Sequence, residues 1–175
     1  MRKTITRVHV AAISARSSHG ALLLGSLRIP CALGRNGRTS LKREGDGRTP
    51  RGDLVLRQLF YRPDRLRRFR AALGMDALRP RDGWCDASDH RNYNRPVALP
   101  CPASHEELWR GDGVYDVLGI LGWNERPRRR NGGSAIFLHL SAGDGRPTAG
   151  CIALALPDMR RLLPLLGRRT VFVVR

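Results

Sequence analysis

Aromatic residues make up only 6% of this 175-residue chain, lysine is nearly missing, and 15 acidic residues face 32 basic ones. Scarce aromatics leave few of the platforms on which single-stranded nucleic acids stack, so a nucleic-acid partner is not expected. Only Lys3 and Lys42 are lysines, and the net charge of +17 therefore comes from arginine. Such a surface favours polyanions: nucleic acid, anionic lipid headgroups or a carboxylate-rich polymer. No apolar run approaches the roughly 18 residues of a membrane span, so no transmembrane helix is expected. A signal peptide is also not recognisable, because Arg7, His9 and Arg16 interrupt the segment after the basic Met1–Lys3 start. Four cysteines are too few for a disulfide scaffold and read as free thiols. Cys85, His90, Cys101 and His105 stand in a loosely zinc-like order, but their spacing matches no strong template, and no metal is expected.

What is abundant is turn chemistry, with 19 Gly and 11 Pro in a chain of one-domain length. Residues 1–175 are expected to form a single domain, mainly β with a few short helices. Arg7–Ile13 has β-type content, with His9 facing solvent. Ala21–Leu24 and Leu27–Leu33, separated by Gly25 and Ser26, read as a hairpin. Gly34–Gly52 is a charged loop without the Walker pattern, and Leu54–Phe60 resumes a strand. Asp64–Leu73 reads as a short basic helix or an irregular arginine-rich excursion, and Arg79–Cys101 as a long ordered loop. Ser104 followed by Glu107 suggests a capping box and a short helix over Ala103–Trp109. Val114–Trp123 and the run from Ser134 are candidates for an antiparallel pair. Pro157 starts a helix shortened at Pro164, before a terminal strand over Arg169–Arg175.

The chemistry concentrates between Ala135 and Leu156. His139 lies in an apolar strand-like run, Cys151 heads a second one 12 positions later, and a Gly/Pro-rich loop joins them. A thiol is a weak nucleophile at neutral pH until a base takes its proton, and His139 is the obvious base. The Gly150 and Cys151 amides are candidates for an oxyanion hole, Thr148 for orienting the loop or the substrate, and Arg146 for holding a substrate carboxylate. Either residue of the pair alone reads as a buried core side chain; the pairing across a loop is what points to catalysis.

His139 to Ala153, with Thr148, Gly150 and Cys151 as T-x-G-C, resembles the active-site signature of the L,D-transpeptidase (YkuD-type) catalytic domain. Gly45–Gly52 resembles that family's Thr-Pro-x-Gly loop. GWCD at Gly83–Asp86, YNRP at Tyr93–Pro96 and SAIFLH at Ser134–His139 look like its compact single-domain branch. Ala149 stands where the family usually carries a second histidine, and Ala153 where an arginine or asparagine often follows the cysteine. The resemblance implies a β-sandwich or mixed barrel and a cysteine-dependent L,D-transpeptidase that needs no cofactor. Its partners would be peptidoglycan stem peptides, as donor and as amine acceptor, which places the work in the cell envelope, in the periplasm. Hydrolysis of the same bond by an L,D-carboxypeptidase is the alternative, as is an inactive basic polyanion-binding protein.

Overall fold

Alternation along the first strands shows how the sheet is built. The computed structural model describes residues 4–175. In β1 (Ile5–Ala11), Val8 and Val10 are buried while His9 is exposed, as the alternating pattern requires. The strand stops short of Ile13, which is fully exposed, because the chain turns over Ser14–Ser17. β2 (His19–Leu24) and β3 (Leu27–Ala32) form the expected hairpin, with Leu24 opposite Leu27 and Gly25 at φ +59° in the turn. The loop that follows contains two short parallel strands, β4 (Arg38–Thr39) and β5 (Thr49–Pro50). β6 (Gly52–Tyr61) is the longest strand and is followed by β7 (Asp76–Ala77). A separate three-stranded sheet comprises β8 (Asp82–Cys85), β9 (Arg95–Ala98) and β10 (His105–Glu107), with β8 in the centre. β11 (Val117–Gly122), β12 (Phe137–Leu140) and β13 (Ile152–Leu154) lead to α1 (Leu156–Leu162). A 3₁₀ turn at Leu163–Leu165 and β14 (Leu166–Val174) complete the chain.

The large sheet runs β11-β12-β13-β3-β2-β1-β14-β6, and β6 pairs back with β11, so the ring closes. The protein is thus mainly β, a mixed barrel with one short α-helix among the described residues. β1 with β14 and β12 with β13 are the parallel pairs of the ring. Closure hides the strand edges that an open sheet would expose.

β12 is buried on both faces. Leu138 and Leu140 join Val8, Leu22, Leu54, Ile152 and Phe172 in the barrel core, whereas Phe137 packs with Leu118, Ile120, Tyr115 and Cys151 on the other side. Trp84 of β8 meets the Phe137 ring edge-on, 5.5 Å between centroids, so the small sheet covers this second face. Two-sided burial is why β11 and β12 read as continuous apolar runs.

Two expectations change and one open alternative is decided. The segment read as a capped helix over Ala103–Trp109 contains β10, with Glu106 opposite Trp84 and Glu107 opposite Gly83. A seven-residue helix is marginal on its own, and cross-strand pairing overrides the local capping signal. Arg79–Cys101 is a β8–β9 hairpin around an irregular tip rather than one loop. Asp64–Leu73 takes the irregular alternative, with Leu66 and Phe69 packed against the core.

Candidate functional site

Parallel pairing of β12 with β13 brings Cys151 and His139 to one face. His139 is opposite Ala153, and Cys151 lies two residues before Ala153, so both side chains point the same way. Two residues of offset on strands about 4.8 Å apart put the two Cα atoms about 8 Å from each other, within reach of an imidazole. Both side chains are 8% exposed, and both line a cavity of about 610 Å³.

The imidazole is fixed. His139 Nδ1 lies 2.8 Å from the Leu140 carbonyl oxygen, which can only accept, so Nδ1 carries the proton and Nε2 presents its lone pair. Tyr115 packs edge-on against the ring at 5.3 Å. A small residue at Ala153 leaves the space beside the imidazole free, since the two are direct neighbours across the ladder. Burial pushes the His139 imidazolium down to about 4, outweighing the Leu140 carbonyl that favours the charged form.

The thiol is held by backbone. Cys151 Sγ donates to the Ala135 carbonyl at 3.2 Å and accepts the Phe137 N–H at 3.3 Å. Burial raises the thiol to about 12, against the pull of the Phe137 N–H. At neutral pH the resting pair is therefore a neutral thiol and a neutral imidazole. Transfer to Nε2 requires rotation of the thiol hydrogen away from Ala135.

The turn before Cys151 is clamped from three sides. Thr148 donates its N–H to the Leu33 carbonyl at 2.8 Å and accepts the Arg35 N–H at 2.8 Å. Its hydroxyl donates to the Cys151 carbonyl at 2.8 Å and accepts the Gly150 N–H at 3.1 Å. Thr49, fully buried in the Thr-Pro loop, accepts the Gly34 N–H at 2.8 Å and reaches the same Cys151 carbonyl at 3.5 Å. Thr148 thus ties the loop to Leu33, Arg35 and the Cys151 carbonyl. The Gly150 amide, a candidate oxyanion donor, is directed to the Thr148 hydroxyl in this structure. Gly150 has another reason to be glycine: φ is +143°, and a Cβ there would sit 2.8 Å from the Arg48 carbonyl oxygen.

Arg146 lines the cavity, but its guanidinium pairs with Asp144 at 2.8 Å and must leave that partner to reach a substrate carboxylate. Ala149 also borders the cavity. Cys85 and His90 form a thiol–imidazole contact at 3.7 Å, away from the cavity lining, and His90 Nδ1 also accepts the Asn92 N–H. Among the described residues no three His, Cys, Asp or Glu converge as metal ligands.

Sequence reading missed Asn94, which joins the three short motifs. Its Oδ1 accepts Trp84 Nε1–H at 3.0 Å and the Ala135 N–H at 3.1 Å, while Nδ2 donates to the Trp123 and Asn124 carbonyls. It also missed Tyr115, whose ring supports both Phe137 and His139. Two signals pointed to Asn94: the YNRP motif, to which no residue role was attached, and an asparagine in a turn-rich stretch, which suits the positive φ of 53° that it adopts.

A neutral thiol on the same face as an oriented, neutral imidazole, both lining one cavity, is equipped for acyl transfer through a thioester. A family model described as the L,D-transpeptidase catalytic domain (YkuD) matches residues 23–174. No curated protein and no solved structure matches the chain.

Proposed function

The chain belongs to the L,D-transpeptidase catalytic domain (YkuD) family, and from that membership and the site geometry we propose that it is a cysteine-dependent L,D-transpeptidase acting on peptidoglycan stem peptides. The observation that carries this reading is the placement of Cys151 and His139 on one face of adjacent strands, with Nδ1 tied to Leu140 so that Nε2 is the base. Cys151 Sγ passes its proton to His139 Nε2 and attacks the carbonyl of the L-to-D bond preceding the terminal D-alanine. With the Gly150 amide engaged by Thr148, the Cys151 N–H is the backbone donor for the oxyanion. Collapse breaks the amide bond, His139 returns the proton to the departing D-alanine amine, and a Cys151 thioester remains. A stem-peptide amine then attacks the thioester, loses its proton to His139 and forms the crosslink as Cys151 regains its hydrogen.

The ion pair is not present at rest, so the base contributes within the acylation step itself, where general base catalysis supplies about 10² to 10⁴ in rate. The net charge of +17 suits a polymer rich in carboxylates. The whole chain acts as one catalytic domain, and the substrate places its work in the cell envelope.

Intact mass after incubation with a stem tetrapeptide tests the reading. The expected result is a Cys151-dependent thioester adduct with release of D-alanine, and a crosslinked product when an amine acceptor is added. Trimmed peptide alone, with acceptor present, assigns hydrolysis instead of transfer. An adduct that persists in Cys151→Ala rules out the nucleophile.

A further inference from the structure

One end of the barrel carries the turn of Cys151 and two bare aliphatic side chains. β1 ends beside the start of β2 and the end of β14, and Ala32 at the end of β3 is opposite Ala153, two residues past Cys151. The turn after β1, the loop after β3 and the turn before β13 therefore share this end. Ile13, fully exposed, lies in the first, and Leu41, 85% exposed, in the second; these are the large exposed hydrophobics among the described residues. Leu41 directly precedes Lys42, which lines the catalytic cavity. A single exposed leucine is ordinary on a protein surface. Two that share one end, on segments fixed to each other, are not scattered.

The fixing is done by Arg38, a buried residue of β4. Its guanidinium donates to the Ala12 carbonyl at 3.5 Å and the Ser14 carbonyl at 3.0 Å, on either side of Ile13, and to the Arg175 backbone oxygen. Its own N–H donates to the Ala15 carbonyl at 2.8 Å. Three residues further on, the Leu41 N–H donates to the Thr39 hydroxyl at 3.0 Å. One arginine thus holds the Ile13 turn against the Leu41 loop, and little backbone remains to be ordered when a partner arrives.

Charge around the two tips is one-sided. Arg16, Arg35, Arg43, Arg48 and Arg51 are exposed and form no ion pair among the described residues. Asp46 is taken by Lys42, and Asp53 by Arg175 and Arg7. Basicity alone does not select this end, because β6 runs from it to the other one and Arg67, Arg68 and Arg70 follow that far terminus. The aliphatic tips select it.

We propose that this end of the barrel docks on an anionic lipid bilayer, with Ile13 and Leu41 entering the boundary between headgroups and acyl chains and the arginines meeting the headgroup phosphates. The proposal is independent of the reaction above. Fluid chains close around single projecting side chains, and an anionic leaflet attracts each arginine near it. A protein partner fits less well, since interfaces are built on a contiguous core with aromatic anchors, and no exposed aromatic accompanies the two tips among the described residues. A glycan–peptide polymer would take the arginines but has no hydrocarbon layer to receive the isoleucine and leucine. Docked in this way, the protein works at the bilayer surface with the Cys151 turn on its lipid-facing end.

Co-sedimentation of the full chain with vesicles of phosphatidylglycerol or of phosphatidylcholine tests it. Wild type is expected to bind the phosphatidylglycerol vesicles about 10-fold more tightly or better, and to lose about 10-fold as salt rises from about 0.05 M to about 0.5 M. The combined I13S and L41S substitutions, at exposed positions that remove no buried contact, are expected to weaken phosphatidylglycerol binding by about 10-fold. R67Q combined with R70Q, at the other end, should change it by less than about 3-fold. Equal binding to both vesicles overturns the proposal, as does binding that survives the serine pair or falls equally with the glutamine pair, since attraction by overall charge then explains it. Self-association or binding to isolated peptidoglycan that the serine pair abolishes, with vesicle binding unchanged, also overturns it and gives the surface to that occupant.

Discussion

Asn94 Oδ1 accepts the Ala135 N–H at 3.1 Å, and the Ala135 carbonyl receives the Cys151 thiol at 3.2 Å. Through two hydrogen bonds, a residue outside the cavity sets where the Cys151 thiol rests. Ala135 is held at φ +51°, a left-handed conformation that alanine adopts only when its surroundings impose it.

Asn94→Ala removes the partner of the Trp84 indole N–H and the Ala135 N–H together, and substitutes a poorer residue at positive φ. Buried donors left unpaired cost about 1–3 kcal/mol each, so a loss of about 3 kcal/mol in unfolding free energy is expected by urea titration. Acylation should slow in the surviving folded protein as Ala135 is released. Unchanged stability would show that Asn94 does not join the motifs.

Gly150→Ala places a methyl group 2.8 Å from the Arg48 carbonyl oxygen at a φ that L-residues avoid. The clash is with backbone, so no side chain can swing aside. A displacement near 1 Å in the turn carrying Cys151 is expected to slow acylation by about 10²-fold, measured by intact mass against time. A rate within threefold of wild type would mean that the turn tolerates the shift.

The Cys151–His139 pair was legible in sequence because both residues sit in apolar runs joined by an evident loop, and local pattern is what sequence displays best. The hairpin at Gly25 and Ser26 was legible for the same reason. Asn94 and Thr49 stand in quoted motifs, but their contacts were not legible, since their partners lie 41 and 102 positions away. Barrel closure by β6 on β11, and the pairing of β1 with β14, were hidden likewise, because periodicity identifies a strand without naming its neighbour. The Ser104/Glu107 pattern misled because capping chemistry is local and the β8 edge that captured the segment is not.

Thr49→Val keeps the shape of a fully buried side chain and removes its hydroxyl. The Gly34 N–H loses its acceptor, and the Cys151 carbonyl loses one of two hydroxyl donors. About 1–3 kcal/mol of stability should be lost, together with a fall in acylation rate, whereas Thr39→Val on the neighbouring short strand should leave the rate unchanged. Equal effects of the two would remove the special role of the Thr-Pro loop.

The pH dependence of stability follows from both members of the pair. His139 is lowered from 6.5 to about 4, so between those values the unfolded chain binds a proton that the folded chain refuses. Stability attributable to His139 is therefore intact above pH 6.5 and falls by about 3 kcal/mol as pH drops to 4. Cys151 is raised from 9.0 to about 12, and here the unfolded chain ionises first as pH rises, with a loss of about 2 kcal/mol by pH 10.5. Denaturant titrations at pH 4.5, 7 and 10.5 should show H139Q with a shallower acid limb than wild type and C151S with a shallower alkaline limb. The same neutral thiol should react with iodoacetamide at pH 7.5 far more slowly than the less buried Cys101. Rapid alkylation of Cys151 at that pH would mean that the thiolate forms before substrate arrives, and would move proton transfer ahead of the acylation step.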